Sequence, residues 1–236
     1  MNKLSFERCK TGIPGFDSLA EGGLVRNSVN VVLGGPGTGK TTFLMQFLWN
    51  GAVMFKENGL FVSFESDIES LFQDALSFGW NFSALEAKGM CKFVKFSPKT
   101  NVREMKTELS HLISRYDIKR VCIDPISLLA MEKQKESEIR EIIFELTSLL
   151  KRMNVSVLLS DETDSSCFVC EEEARTETLK FLSDGLINLY SSNCEGGSER
   201  LLRITKMRRT NHFRDALPFK MNDKGIIISI PREKNL

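Results

Sequence analysis

The stretch VVLGGPGTGKTTFLMQF, residues 31–47, decides the fold. Gly34, four residues, then Gly39-Lys40-Thr41 matches the pattern G-x-x-x-x-G-K-[ST]. Average residue frequencies give about 0.01 accidental matches in a chain of this length, so the run is signal. An apolar run at 29–33 precedes it and a helical pattern over 39–56 follows, which predicts strand, loop and helix in that order. Gly34, Gly35, Gly37 and Gly39 let the backbone reach positive φ and turn successive N–H groups inward. Pro36 and Thr38 complete the loop, and the helix N-terminus adds partial positive charge where phosphates sit. In such a loop Lys40 reaches the β- and γ-phosphates, the Thr41 hydroxyl binds Mg²⁺, and Thr42 is placed for the α-phosphate.

Outward from the loop, short apolar runs alternate with longer helical patterns. Strands are predicted at 29–33, 60–64, 91–96, 121–124 and 156–160, with helices at 39–56, 68–78, 102–116 and 136–153. Strand and helix in alternation imply parallel strands with crossover helices, an α/β sheet covered on both faces. In the 136–153 helix, Ile139, Ile142, Ile143, Leu146, Leu149 and Leu150 fall on one stripe. Asn101 is placed to cap the helix that starts at 102. After residue 185 the runs GLINLYSS, ERLLRITKMR, LPFKMND and GIIISI are joined by short turns. They predict antiparallel strands added to one edge of the sheet. Residues 161–178 are polar and acidic and read as a mobile loop. One domain over residues 1–236 is the simplest organisation.

A phosphate loop works with carboxylates at the ends of neighbouring strands. The run RVCID ends in Asp124, which strand burial would hold rigid as the second Mg²⁺ partner. The run FVSFE ends in Glu65, placed to polarise an attacking water; the plainer alternative is an acid favoured near a helix N-terminus.

Composition bounds the rest. The chain has 236 residues, 42% hydrophobic and 27% charged, with a formal charge of +1. That excludes an intrinsically disordered chain and leaves enough residues for a sizeable core. No apolar run approaches the roughly 20 residues that span a bilayer. The N-terminus shows no signal peptide, so a cytoplasmic protein with reduced thiols is expected. Cys91 and Cys122 lie in apolar strand-like runs and read as buried packing residues.

Several segments together resemble the KaiC-like ATPases of the RecA superfamily. They are TGIPGFDSLAEGGL, GGPGTGKTTF, FVSFES, SFGWN, RVCIDPIS, KMRRTNHFRDALPF and DKGI, spanning about residues 11–230. The resemblance implies a RecA-like P-loop core, a ring that is commonly hexameric, and Mg-ATP bound between subunits. By matching positions it implies that Lys206 and Arg208 of one subunit contact the γ-phosphate held by the next. Arg208 would then act as an arginine finger. It places Thr210 and His212 near the ribose and base and Ser77 near the adenine. The residues agree in part: over 199–220 seven bases face two acids, a local surplus of +5 that suits a polyphosphate. Read alone, Lys206 and Arg208 are also consistent with solvent-facing positions on a strand.

Three departures qualify the resemblance. KaiC carries two such domains in tandem and this chain carries one, so autophosphorylation is not carried over. KaiC has two adjacent glutamates where this chain has Glu65-Ser66, which implies slow hydrolysis. Arg209 stands where the family has Gly, which implies a differently shaped loop tip.

The weaker signals add little. Cys167 and Cys170 form one C-x-x-C, short of the four ligands of a structural zinc site, and read as loop cysteines. His111 lies on an amphipathic helix and reads as a surface residue. Over 161–178 seven acids face one base, a charge of −6 that would repel a nucleic-acid backbone. The functions expected are therefore a ring ATPase of regulatory type, then a recombinase-like single-stranded DNA binder, then a non-hydrolysing nucleotide sensor for an unidentified protein partner.

Overall fold

The computed structural model describes residues 6–130, 136–162, 174–194 and 197–230. A two-stranded ribbon, β1 (Arg8–Cys9) with β2 (Leu24–Val25), brackets the short helix α1 (Phe16–Leu19). The main chain then alternates: β3 (Val29–Gly34), α2 (Lys40–Asn50), β4 (Asn58–Ser63), α3 (Ile68–Leu76) with α4 (Phe82–Ala87), β5 (Cys91–Lys95), α5 (Val102–Arg115), β6 (Ile118–Asp124), α6 (Glu136–Arg152), β7 (Ser156–Glu162) and α7 (Ala174–Leu182). Four strands close the chain: β8 (Gly185–Cys194), β9 (Gly197–Met207), β10 (Leu217–Asn222) and β11 (Gly225–Ile228).

Nine strands form one sheet in the order β11-β10-β9-β8-β3-β7-β6-β4-β5. The six strands from β8 to β5 run parallel, and β9, β10 and β11 are antiparallel additions. The predicted α/β class with an antiparallel C-terminal edge is what the chain adopts, with one correction. The GLINLYSS run, expected among the antiparallel strands, is β8 and pairs parallel with β3, Asn30 opposite Gly185. The reason is α7: it begins within the residues expected as loop, runs on to Leu182 and supplies the crossover that a parallel return requires. Asp161 and Glu162, from the same expected loop, belong to β7. The rest of that loop, 163–173, with Cys167 and Cys170, lies outside the described residues.

Side-chain alternation splits the core across the sheet. Val32, Phe61, Cys122 and Leu158 pack on one face with Phe43, Leu44, Phe47 and Leu48 of α2. Val31, Val62, Val121, Ile123 and Leu159 pack on the other with Leu109, Ile113 and Leu146. Both faces being covered, β3 is buried at every position, which explains a run that is apolar but for Asn30, whose Nδ2 donates to Ser28 Oγ at 2.9 Å. Cys91 and Cys122 are buried in the core, as expected. The Asn101 side chain caps α5, accepting from Arg103 N at 2.8 Å.

The expected 39–56 helix changes character partway. After Asn50 it widens into a π-helical turn, Gly51–Phe55. Arg120 of β6 lies against this point and donates from Nη1 to Phe47 O at 2.9 Å. A Cβ on Gly51 would come within 2.5 Å of Arg120 Cδ. A side chain entering the helical ladder is a recognised cause of such a bulge. At the far end of the sheet, Gln46 of α2 brackets the outer edge of β11. Ile226 N donates to Gln46 Oε1 at 2.7 Å, and Gln46 Nε2 donates to Ile226 O at 3.1 Å.

Candidate functional site

The loop between β3 and α2 begins where β3 meets β8. A Cβ on Gly34 would lie 2.6 Å from Leu189 O and from Thr38 Oγ1, so no larger residue fits there. Gly37 (φ 74°) and Gly39 (φ 103°) supply the left-handed turns that fold the loop over the start of α2. Thr38 is buried and donates its hydroxyl to Gly35 O at 2.8 Å. Lys40 bends back across the loop, its ammonium donating to Gly34 O at 2.9 Å and Gly35 O at 3.0 Å. Glu162 at the end of β7 lies 3.7 Å from the same ammonium.

Thr41, in the first turn of α2, donates to Asp124 Oδ2 at 2.7 Å. Ser160 of β7 donates to the other carboxylate oxygen of Asp124. Phe64 N donates to Asp124 O at 3.0 Å, so the chain leaving β4 is tied to the end of β6 and brings Glu65 alongside. Ser63 Oγ bonds Ser66 O at 2.7 Å and turns the segment back. Glu65 itself is exposed and precedes Asp67, the N-cap of α3, so it lies outside that helix's first turn. Lys40, Thr41, Thr42, Glu65, Asp124 and Glu162 thus converge on one cleft of about 350 Å³. Its floor is the loop at Pro36, Gly37 and Gly39, and Met221 of β10 overhangs it.

The arrangement can receive a polyphosphate: a glycine loop, a helix N-terminus and one ammonium face a common space. A hydroxyl and a carboxylate oxygen in contact are the hard ligands that Mg²⁺ takes, with phosphate and water completing its shell. Among the described residues, no group of three or more His, Cys, Asp or Glu could hold a metal without such help.

The remaining residues named from the sequence lie apart from this cleft. Ser77 caps the C-terminus of α3, exposed, with its hydroxyl donated to Asp74 O. Lys206, Arg208 and His212 line a separate depression of about 420 Å³ with Arg203 and Arg214. Lys206 Nζ donates to Lys180 O and Ser183 O at 2.5 and 2.7 Å, at the carbonyl end of α7. Burial, and next the Arg208 charge, push the Lys206 ammonium below its usual pKa, against the opposing pull of Asp184. Arg208 is half exposed, 3.8 Å from Asp184 Oδ1, and donates to Phe181 O at 3.3 Å. Thr210 donates its hydroxyl to Arg208 O and accepts from Arg8 Nη1 at 2.7 Å. Arg209 takes φ 60°, a region glycine enters freely, so the arginine adopts the backbone turn open to the expected glycine.

Sequence reasoning missed Glu162 and Met221 in the cleft and Ser160, buried behind Asp124. Glu162 had a legible signal: it ends a strand parallel to those that end in Asp124 and beside Glu65. Met221 had none, because it arrives from β10, remote in sequence.

Comparisons with known proteins agree with this geometry. The family model "ATPase: KaiC" matches residues 9–233. The circadian clock oscillator protein KaiC of Parathermosynechococcus lividus is 34% identical over 229 residues, covering 93% of this chain and 42% of the relative. This chain thus spans about two fifths of that relative's length. A UPF0273 protein of Thermotoga maritima is 32% identical over 238 residues, with 94% and 96% covered. The crystal structure of a KaiC-like protein from the hyperthermophilic archaeon Pyrococcus horikoshii superposes with a TM-score of 0.86 at 33% identity, covering 96% of this chain and all of that one. No helix among the described residues is long and apolar enough to cross a membrane. A phosphate loop at the C-terminal edge of a mostly parallel sheet and a match along nearly the whole chain lead to one assignment: the chain belongs to the KaiC ATPase family.

Proposed function

We propose that the chain binds Mg-ATP in the 34–42 loop and hydrolyses its γ-phosphate at the interfaces of a homo-oligomeric ring, commonly a hexamer in this family, as a regulatory ATPase of the cytoplasm. The observation that carries the reading is the contact of Thr41 with Asp124 beside Lys40, in a cleft that Glu65 also lines. Bound Mg²⁺ would neutralise charge on the β- and γ-phosphates and fix their orientation. Within one chain, the loop amides and Lys40 hold the phosphate tail, Thr41 and Asp124 offer metal ligands, and Glu65 takes a proton from the attacking water. Water adds to the γ-phosphorus as the bond to the β-phosphate oxygen breaks, leaving ADP and inorganic phosphate.

Lys206 and Arg208 belong to a different surface from their own chain's loop. That separation supports their service to the nucleotide of a neighbouring copy, with Thr210 and His212 toward its ribose and base. Ser77 is proposed near the adenine. The exposed glutamate followed by Ser66 supports slow turnover, and a protein partner that reads the nucleotide state is consistent with such a rate.

Calorimetry with Mg-ATP on wild type and Lys40→Ala tests the binding half. Retained magnesium-dependent uptake in Lys40→Ala would overturn the site. Mixing Arg208→Ala with Glu65→Gln tests the interface half. Each variant alone should lose most of its turnover, and mixed assemblies should regain part of it where one intact loop meets one intact arginine; no recovery rules out service in trans.

A further inference from the structure

We infer that Arg8, braced by Glu21, is the positioning residue that presents Arg208 to a neighbouring copy, an inference that rests on the trans reading above. Strand β9 ends at Met207, and Arg208 N donates to Asp184 O at 2.8 Å. Between there and Leu217 the chain has no strand partner. Arg203 of β9 ties its far end, donating from Nε to Arg214 O at 3.0 Å, and the N-terminal ribbon holds the stretch next to Arg208. Arg8 donates from Nη1 to Thr210 Oγ1 at 2.7 Å and from Nη2 to Arg209 O at 3.2 Å. The same guanidinium reaches Gly23 O at 3.4 Å and Glu21 Oε2 at 3.2 Å. Glu21 Oε2 in turn accepts from Asn211 N at 3.1 Å, and Phe213 N donates to Leu19 O at 2.9 Å. Beyond these bonds, the Arg209 guanidinium sits 5.4 Å from the centre of the Phe6 ring.

The chemistry of this clamp is specific. A planar guanidinium with a fixed fork of donors spans two acceptors on the loop and two on the ribbon at once. Its side chain is 16% exposed, so the bonds are partly shielded from water. None of them touches the chain's own phosphate loop. They act on the two residues that follow Arg208, and so set the direction in which its half-exposed side chain leaves the surface. Displacing a catalytic group by 1 Å costs about 100-fold in rate, so a loose loop would be felt in turnover rather than in nucleotide uptake.

The test uses the full chain with Arg8→Gln, Arg8→Lys, Arg208→Ala and the double variant Arg8→Gln/Arg208→Ala. Mg-ATP affinity, kcat, KM and melting temperature are measured for each. The expected result is that Arg8→Gln lowers kcat about tenfold or more with affinity and melting little changed. Arg8→Lys, which keeps the charge but not the planar fork that spans loop and ribbon together, falls between it and wild type. The double variant is no slower than Arg208→Ala alone, because Arg8 acts through Arg208. Wild-type kcat in Arg8→Gln beside an impaired Arg208→Ala would overturn this inference alone, as would losses that add in the double variant. An unimpaired Arg208→Ala would instead remove the trans reading, and the clamp's role with it. If Arg8→Gln fails to fold, Glu21→Gln takes its place: it keeps the side chain's shape but weakens the acceptor shared by Arg8 and Asn211. A kcat unchanged in that variant overturns the inference.

Discussion

Glu57→Gln should destabilise the protein, because Glu57 is the carboxylate partner of the buried Arg120. Arg120 is buried, its side chain 1% exposed, and Glu57 stands 15% exposed above it. Arg120 places Nε at 2.7 Å and Nη2 at 2.6 Å from Glu57 Oε2, while Arg26 Nη2 donates to Oε1 at 2.8 Å. Glutamine keeps one acceptor oxygen and turns an NH₂ group toward a guanidinium on the other side. One arginine then loses its acceptor and meets a donor, and a buried cation loses its counter-charge. Removing one partner of a buried pair costs about 3–5 kcal/mol. Arg120 retains Phe47 O and Lys10 O, which sets the expectation near the lower end, about 3 kcal/mol. In a chain of this length that lowers the melting temperature by about 6–12 °C.

The pH dependence has a definite sign. Burial raises the Glu57 carboxyl's pKa, but the Arg120 and Arg26 charges and hydrogen bonds outweigh it and hold it below the ordinary value of 4.5. Its stabilisation is therefore complete above about pH 4.5 and is lost as pH falls through the lower, folded-state pKa. Urea unfolding followed by tryptophan fluorescence, at neutral pH and at steps down into that acid range, measures the gap between wild type and variant. The gap should be widest at neutral pH and close on acidification. A neutral-pH loss below about 1 kcal/mol, the scale of a solvent-screened pair, would refute the reasoning, as would a gap that ignores pH.

Asp124→Asn should abolish most of the magnesium dependence of ATP uptake while leaving the fold intact, as calorimetry with and without the metal would register. Glu162→Gln removes a carboxylate 3.7 Å from the Lys40 ammonium and should tighten nucleotide uptake about two- to fivefold, the scale of a half-exposed ion pair; weaker uptake would count against a competing role. Gly225→Ala places a Cβ 2.5 Å from Trp80 and 2.7 Å from Gln46 at φ 104°, and should cost about 2–4 kcal/mol in urea unfolding. Cys91, pushed up to about 12 by burial, and Cys122, whose thiol burial likewise raises well above its ordinary value, should escape alkylation at pH 8 in the native protein; peptide mapping before and after unfolding reads this directly.

The phosphate loop was legible because its chemistry needs contiguous residues in a fixed order. Asp124 and Glu65 were legible because each closes an apolar run, and a parallel sheet gathers such ends at one edge. Glu162 closes a run of the same kind, yet the acids that follow it led to its reading as loop. The same crowd of acids concealed α7, and without α7 the parallel pairing of β8 had no visible crossover. The ionic cluster of Arg120, Glu57 and Arg26 joins residues 31 to 94 positions apart, and nothing local announces that an arginine will be buried. The hold of Arg8 on Thr210 spans 202 positions and is equally silent in the sequence.

The bracket that Gln46 forms on Ile226 bears on how copies of this protein can meet. The free side of β11 would otherwise offer an amide and a carbonyl to any extended chain, as open sheet margins do. Gln46 occupies both, and Ile228 N is taken by Pro14 O at 2.9 Å. An incoming strand would have to displace a buried side chain before making its first bond. Stacking of copies margin to margin into fibrils through this strand is thereby disfavoured.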